Sequence, residues 1–156
     1  MEKMLAGVRE ARPDELEACA KLWHAMRTEL DAVPRGLHSN WADRFVEYVE
    51  RRSRHGEVRF FIAQADASIV GTSMGLLLDG WPAPLFERVT TGYIFSVYVI
   101  PGYRRRGIAR ALTRATVAWL RSAGCSVIRL RASDDGRRLY EALGFVPSLE
   151  MELRGE

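Results

Sequence analysis

Lysine is nearly missing from this chain of 156 residues: it occurs only at Lys3 and Lys21, and arginine supplies the rest of the 23 basic residues. With 20 acidic residues against them the net charge is only +3, which argues against a general polyanion binder and so against a nucleic-acid partner. Cysteine is equally scarce. Cys19 and Cys125 lie far apart, in patterns that read as helix and helix end. Two unremarkable thiols therefore fit better than a disulfide framework or a metal site, and no metal is expected. No stretch of about eighteen uninterrupted apolar residues exists to cross a membrane, and the opening MEKMLAGVREARPDELE has no apolar signal-peptide core. A cytoplasmic protein without a membrane partner is the expectation. Linkers, low-complexity tracts and repeats are absent too, so the whole chain, 1–156, reads as one domain.

What is present is ordinary globular material, 47% hydrophobic and 28% charged. After a short strand around Val8, helical spacing puts Leu16, Cys19, Ala20, Trp23, Met26 or Arg27, and Leu30 on one stripe, with Pro13, Asp14 and Glu15 as start signals. Trp41, Phe45, Tyr48 and Val49 mark a second helix, capped by Ser39 or Asn40. Then the period changes. EVRFFIAQAD and SIVGTSMGLLLD are β-rich runs joined by a short polar ADAS, which predicts an antiparallel hairpin. GWPAPLF is a loop, and TTGYIFSVYVI is a further strand ended by Pro101.

From Gly107 an amphipathic helix is expected to turn Ile108, Ala111, Leu112, Ala115 and Trp119 inward and Arg110, Arg114 and Arg121 outward, with Gly124 as its C-cap. SVIRLRA follows as a strand. Strand, helix and strand in this order make a βαβ crossover and a parallel pair. A short helix from Gly136 to Leu143 and a terminal strand near SLEMEL complete a mixed α+β fold.

The chemistry gathers where the strand meets the long helix, at SVYVIPGYRRRGIARAL. The first turn of a helix leaves backbone N–H groups without partners at the positive end of the macrodipole, and anions collect there. Gly107 and the small Ala109 let backbone approach a phosphate, and Arg104, Arg105 and Arg106 add full charges. A pyrophosphate seat follows, set against the plainer reading of a solvated basic helix start. No G-x-x-x-x-G-K-[ST] or G-x-G-x-x-G signature claims that pyrophosphate.

VIPGYRRRGIARAL resembles the acyl-CoA-binding signature R-x-x-G-x-[GA] of the GCN5-related N-acetyltransferase (GNAT) superfamily, with Arg104, Gly107 and Ala109 in the fixed places. About thirty residues on, ASDDGRRLYEALGF resembles the second motif of that superfamily. The resemblance implies a mixed, mostly antiparallel sheet of six to seven strands, splayed between strands four and five and flanked by four helices. It implies acetyl-CoA in the opening, with no metal. Backbone of Val97, Tyr98 and Val99 would meet the pantetheine and thioester, while Arg105, Arg106, Gly107, Ile108, Ala109 and Arg110 would surround the pyrophosphate. Ser133 stands where many members have asparagine, and Gly136 replaces a common alanine.

Acetyl transfer to an amine needs a base for the ammonium and an acid for the departing thiolate, with donors for the carbonyl oxygen. The resemblance implies Tyr140 as the acid and a backbone N–H near Val99 as the donor; packing against the sheet is the plainer reading of Tyr140. TTGYIFSVYVI holds no carboxylate, so ordered water is the default base, with Glu29, Asp79, Glu87, His24 and His38 as candidates. Trp41, Phe45, Tyr48, Trp81 and Phe86 are candidate pocket walls and, equally, core residues. Glu29, Asp31, Asp43 and Glu47 are acids that could attract a cationic amine. The expected activity is N-acetylation of a small-molecule or protein amine by direct attack on the thioester, with a non-catalytic acyl-CoA-binding module as the alternative. Homodimerisation is common in such folds, although no sequence feature marks an interface.

Overall fold

In the computed structural model, which describes residues 5–80, 83–85, 87 and 91–155, β1 (Leu5–Glu10) leads through a 3-10 turn at Pro13–Glu15 into α1 (Leu16–Glu29) and α2 (Trp41–Arg54). Charge fixes the entry to α1. The buried Glu15 carboxylate accepts hydrogen bonds from the Arg9 guanidinium at 2.8 and 2.6 Å and from the Arg12 backbone N–H at 2.8 Å. The Arg9 hydrogen bond is the main cause that holds Glu15 at a pKa of about 2 against an ordinary 4.5. A carboxyl depressed in the folded state stabilises above its unfolded pKa, and that stability is lost as pH falls from about 4.5 to about 2. Glu15→Gln should cost about 2 kcal/mol at neutral pH and flatten the acid limb of stability. Thermal melts at stepped pH check this; an unchanged acid limb would count against it.

β2 (Val58–Ala65) and β3 (Ser68–Leu78) form the expected hairpin. Both residues of its turn, Asp66 and Ala67, have positive φ (46° and 64°), as a tight two-residue hairpin requires. β4 (Thr91–Val99), α3 (Ile108–Ser122), β5 (Val127–Leu130) and α4 (Asp134–Ala142) follow. The sheet order is β1-β2-β3-β4-β5; the first four strands are antiparallel neighbours and β5 runs parallel to β4. The crossover is therefore as its sequence pattern predicts.

Alternate residues of β2 serve two helical layers. Val58, Phe60 and Ile62 pack with Leu16, Cys19 and Val49 of α1 and α2, whereas Ala63 and Ala65 pack with Ile108 and Leu112 of α3. Cys19 and Cys125 are both buried and free, and burial pushes the Cys19 thiol up to about 12. The inward stripe of α3 differs from the expected one. Ile108, Leu112, Thr113, Thr116 and Leu120 are buried, Ala115 and Trp119 half-buried, and Ala111 exposed. Threonine is tolerated there because each hydroxyl bonds the carbonyl four residues back, Thr113 to Ala109 at 2.8 Å and Thr116 to Leu112 at 3.0 Å. Thr116 also meets Ser73 Oγ at 2.7 Å, which ties α3 to β3.

α3 lies close on the sheet because Gly75 and Gly92 carry no side chain. A Cβ on Gly75 would stand 2.7 Å from Trp119, and one on Gly92 2.7 Å from Leu120. The strand count is the main correction to the expected fold. Among the described residues the sheet has five strands, and the terminal strand near SLEMEL does not form. Pro147 cannot donate to a ladder, and the segment after it makes none with β5. The splay is present: parallel pairing runs only from Thr91↔Val127 to Ile94↔Leu130. β4 continues to Val99, so its second half has no strand on that side.

Candidate active site

The second half of β4 is bent as well as unpaired. Between the pairs Thr72↔Tyr98 and Met74↔Phe95, β3 has one intervening residue and β4 has two, a bulge that re-aims the strand. Ser96 takes the strain, with φ of 56°. Beyond it Val97 is half-buried, and Tyr98 and Val99 are buried. Their backbone borders the opening.

From there the chain turns through Pro101–Tyr103 and reaches α3 by two left-handed residues, Arg105 (φ 62°) and Gly107 (φ 79°), a geometry in which successive N–H groups converge. Gly107 is the N-cap and makes no side-chain capping bond. The first ladder bond runs from the Ala111 N–H to the Gly107 carbonyl at 3.0 Å. The N–H groups of Ile108, Ala109 and Arg110 thus lie outside the helical ladder. A Cβ on Gly107 would meet nothing within 4 Å. Open space lies beside Gly107 itself, and the exposed Arg105, Arg106 and Arg110 place positive charge around the junction. The junction fits a diphosphate.

Arg104 behaves differently from its neighbours. Its Nε donates to the Val99 carbonyl at 2.8 Å, and its Nη2 donates to both Glu29 oxygens at 2.9 and 2.7 Å. The guanidinium also lies 5.4 Å from the Tyr98 ring centre. Hydrogen bonding to Glu29 raises the Arg104 pKa, so the charge is secure. This side chain, though partly exposed, ties the end of α1 to the junction. Glu29, a candidate base, has both oxygens in that tie.

Across the opening, Ser133 caps α4 by accepting the Gly136 N–H at 3.2 Å. The buried Tyr140 leans back over Gly136: a Cβ there would stand 3.0 Å from Tyr140 Cε2. Burial pushes the Tyr140 phenol up, so it stays protonated at neutral pH. Its ring meets Phe145 edge-on at 6.0 Å, and Phe145 and Val97 pack on one cluster formed by Ile94, Leu120 and Cys125. Tyr140, Ser133 and Tyr93 line a cavity of about 1320 Å3. That cavity does not extend to Gly107 or to Val97–Val99, so it is distinct from the junction and from the second half of β4. Gly136→Ala should favour the helix by up to about 1 kcal/mol yet displace the Tyr140 ring. If that ring acts in catalysis, turnover should fall roughly tenfold with stability intact. Melting and turnover measured together check this, and full turnover would show that the ring's seat does not matter.

The remaining candidates are dispersed. Asp79, Glu87 and His38 are exposed, and His24 stacks on Trp41 at 4.9 Å. Trp41 and Phe45 pack on Trp23 at 5.8 and 6.1 Å as a seam between α1 and α2, whereas Tyr48 lies outside it beneath Arg51 and Arg52. Asp31, Asp43 and Glu47 are exposed; Trp81 and Phe86 fall outside the described residues. Among the described residues no cluster of His, Cys, Asp or Glu could hold a metal ion, and no helix is long and apolar enough to cross a membrane. Two features have no local signal in the sequence. No glycine or proline marks the bend at Ser96, and Glu29 and Arg104 are 75 residues apart.

Comparison with known proteins agrees with this geometry. Residues 20–145 match the model of the Acetyltransferase (GNAT) family. A predicted acetyltransferase from Clostridium acetobutylicum, solved with acetyl-CoA, superposes with a TM-score of 0.82 at 22% identity over 97% of this chain and 96% of that one. A GCN5-related N-acetyltransferase from Ralstonia eutropha gives 0.79 at 24% identity over 97% and 98%. An aminoglycoside N-acetyltransferase in complex with CoA gives 0.69 at 18% identity over 100% and 98%.

Proposed function

Because the chain belongs to the acetyltransferase (GNAT) family, we propose that it transfers the acetyl group of acetyl-CoA to a primary amine of a small molecule or protein. The observation that carries this reading is the junction at Gly107, where backbone donors lie outside the helical ladder, beside open space at the glycine and three exposed arginines. The N–H groups of Ile108, Ala109 and Arg110 would hold the pyrophosphate, with Arg105 and Arg106 beside it. Arg104 would act by fixing the loop, since its guanidinium is already engaged. Val97, Tyr98 and Val99 would orient the pantetheine and thioester along the unpaired half of β4, and Ser133 would stand at the mouth of the opening as the cap of α4.

Acetyl-CoA supplies the acetyl group as a thioester. Tyr140 holds a proton on its phenol oxygen for the departing sulfur, and burial keeps that proton in place at neutral pH. A backbone N–H near Val99 would donate to the carbonyl oxygen, where negative charge develops. With Glu29 committed to Arg104, ordered water takes the proton from the ammonium. Direct attack by the amine on the thioester is the proposed route; Cys19 and Cys125 are both buried thiols.

Thermal melts with acetyl-CoA, with CoA and without ligand come first, followed by thiol release across polyamines, amino acids, aminoglycosides and peptides. A ligand that binds only the folded chain raises its melting temperature by mass action. A shift together with thiol release for one amine class supports the reading. A shift without release for any amine would leave a binding module, and no shift with either ligand would remove the proposed seat.

A further inference from the structure

The stripe of α1 that packs on the sheet runs Leu16, Ala20, Trp23 and then Arg27, the spacing of one helix face. Leu16 and Ala20 are buried and Trp23 packs on Phe45, so the fourth place on an inward stripe is held by a guanidinium. Arg27 is half-buried, and its Nε is closed to solvent without a hydrogen-bond partner. None of the ion pairs among the described residues includes it. Arginine is seldom placed inward without a partner, because a buried donor left unmatched costs stability. The unmatched group points to an anion from outside the chain.

The rest of this face says what carries that anion. α1 begins over β2, where Leu16 and Cys19 pack with Phe60 and Ile62, and it ends at β4, where Glu29 holds Arg104 on the Val99 carbonyl. Arg27, in the last turn of α1, thus belongs to the end that reaches the unpaired half of β4. On β4, Phe95 and Tyr93 stand opposite Met74 and Leu76, which pack in the core beneath α1 and α2. Directly opposed residues share a face, so both rings lie on the α1 side of the sheet, whereas Gly92 and Ile94 face α3. The rings stack at 4.3 Å, and Phe95 is still 39% exposed. Tyr93 also lines the cavity that Tyr140 lines. With the junction at Gly107 on the α3 side, the α1 side is left for the second reactant.

Resting on the acetyl-transfer reading above, we propose that the acceptor is an aromatic amino acid or a close analogue, an amine that carries a carboxylate and a flat apolar body. Arg27 binds the carboxylate, a planar anion that suits two parallel N–H donors of a guanidinium. The ring of the acceptor lies on Phe95. An amine without the carboxylate leaves Arg27 unmatched, and a site built in this way discriminates strongly against it. At the reacting atoms the amine nitrogen bonds to the acetyl carbon and the carbon–sulfur bond breaks. The ammonium proton passes to water, and the departing thiolate takes the proton of Tyr140.

Calorimetry of phenylalanine and phenethylamine with the full chain, with and without CoA, tests this without turnover. The two differ only in the carboxylate, and phenylalanine should bind roughly a hundredfold more tightly. Arg27→Met keeps an unbranched stem and removes the charge. It should erase that preference with CoA affinity unchanged, and it should raise the melting temperature of the unliganded chain, since the unmatched guanidinium is gone. An arginine that served only the fold would lower it. Phe95→Ala should weaken phenylalanine about tenfold. Equal affinity for the two compounds, no binding of either, a preference that survives Arg27→Met, or a lower melting temperature in that variant would each overturn the proposal. Thiol release from acetyl-CoA separates the two readings. Release with phenethylamine and none with phenylalanine would end this acceptor and keep acetyl transfer. Phenylalanine bound through Arg27, with no release for any amine, would keep the carboxylate site and end the acetyl transfer.

Discussion

Tyr140→Phe is expected to lower thiol release by about a hundredfold or more, with acetyl-CoA affinity within about twofold of wild type. The substitution removes one oxygen and keeps the ring, so the contact with Gly136 and the edge-on packing against Phe145 remain. What is lost, on the proposed mechanism, is the proton for the departing sulfur. Because burial raises the phenol's pKa, the wild type should hold its activity through neutral pH and lose it only once the phenol ionises. That alkaline limb should vanish in the variant. Steady-state rates across pH, with cofactor binding by calorimetry, separate the effects. Equal turnover in both proteins would reduce Tyr140 to a packing residue.

Gly107→Val should act on binding instead. Position 107 is left-handed, and a β-branched residue there is strained by about 1–2 kcal/mol. The larger effect is expected from the side chain, which would occupy the open space beside Gly107 where the proposed diphosphate would lie. Acetyl-CoA affinity should fall roughly a hundredfold. Gly107→Ala carries a similar backbone strain with less intrusion and should fall between. The order Gly, Ala, Val in calorimetric affinity, against nearly equal melting temperatures for the two variants, is the expected pattern. Undiminished affinity in the valine variant would place the diphosphate elsewhere.

The helices, the hairpin and the βαβ crossover were legible because each rests on a repeat contained in its own ten to fifteen residues. Gly107 was legible for a similar reason, since a helix start advertises itself locally. The buried threonines of α3 were not, because Thr113 and Thr116 count as polar until their hydroxyls are seen to bond within the helix. The bend at Ser96 is imposed by register with β3, and no residue type announces it. Arg104 was expected at the phosphates from its place in a motif, but its guanidinium is claimed by a carboxylate three helical turns past Cys19 and far away in the chain. The terminal strand failed for a related reason: an alternating run is only half of a strand, and Leu149, Met151 and Leu153 have no ladder to join within their own chain.

The tie between Glu29 and Arg104 has a consequence for the order of events when the protein is made. Every residue expected to touch the cofactor lies between Val97 and Tyr140, yet the loop that presents them is anchored to the end of α1. The contact closes a long loop whose entropy must be met by the docking of α1 on the sheet. A stretch of chain holding the whole binding motif therefore lacks its anchor until the first helix is seated. If the junction holds the cofactor as proposed, affinity should arise late in folding, when the two ends of the fold have met and not when the motif itself emerges.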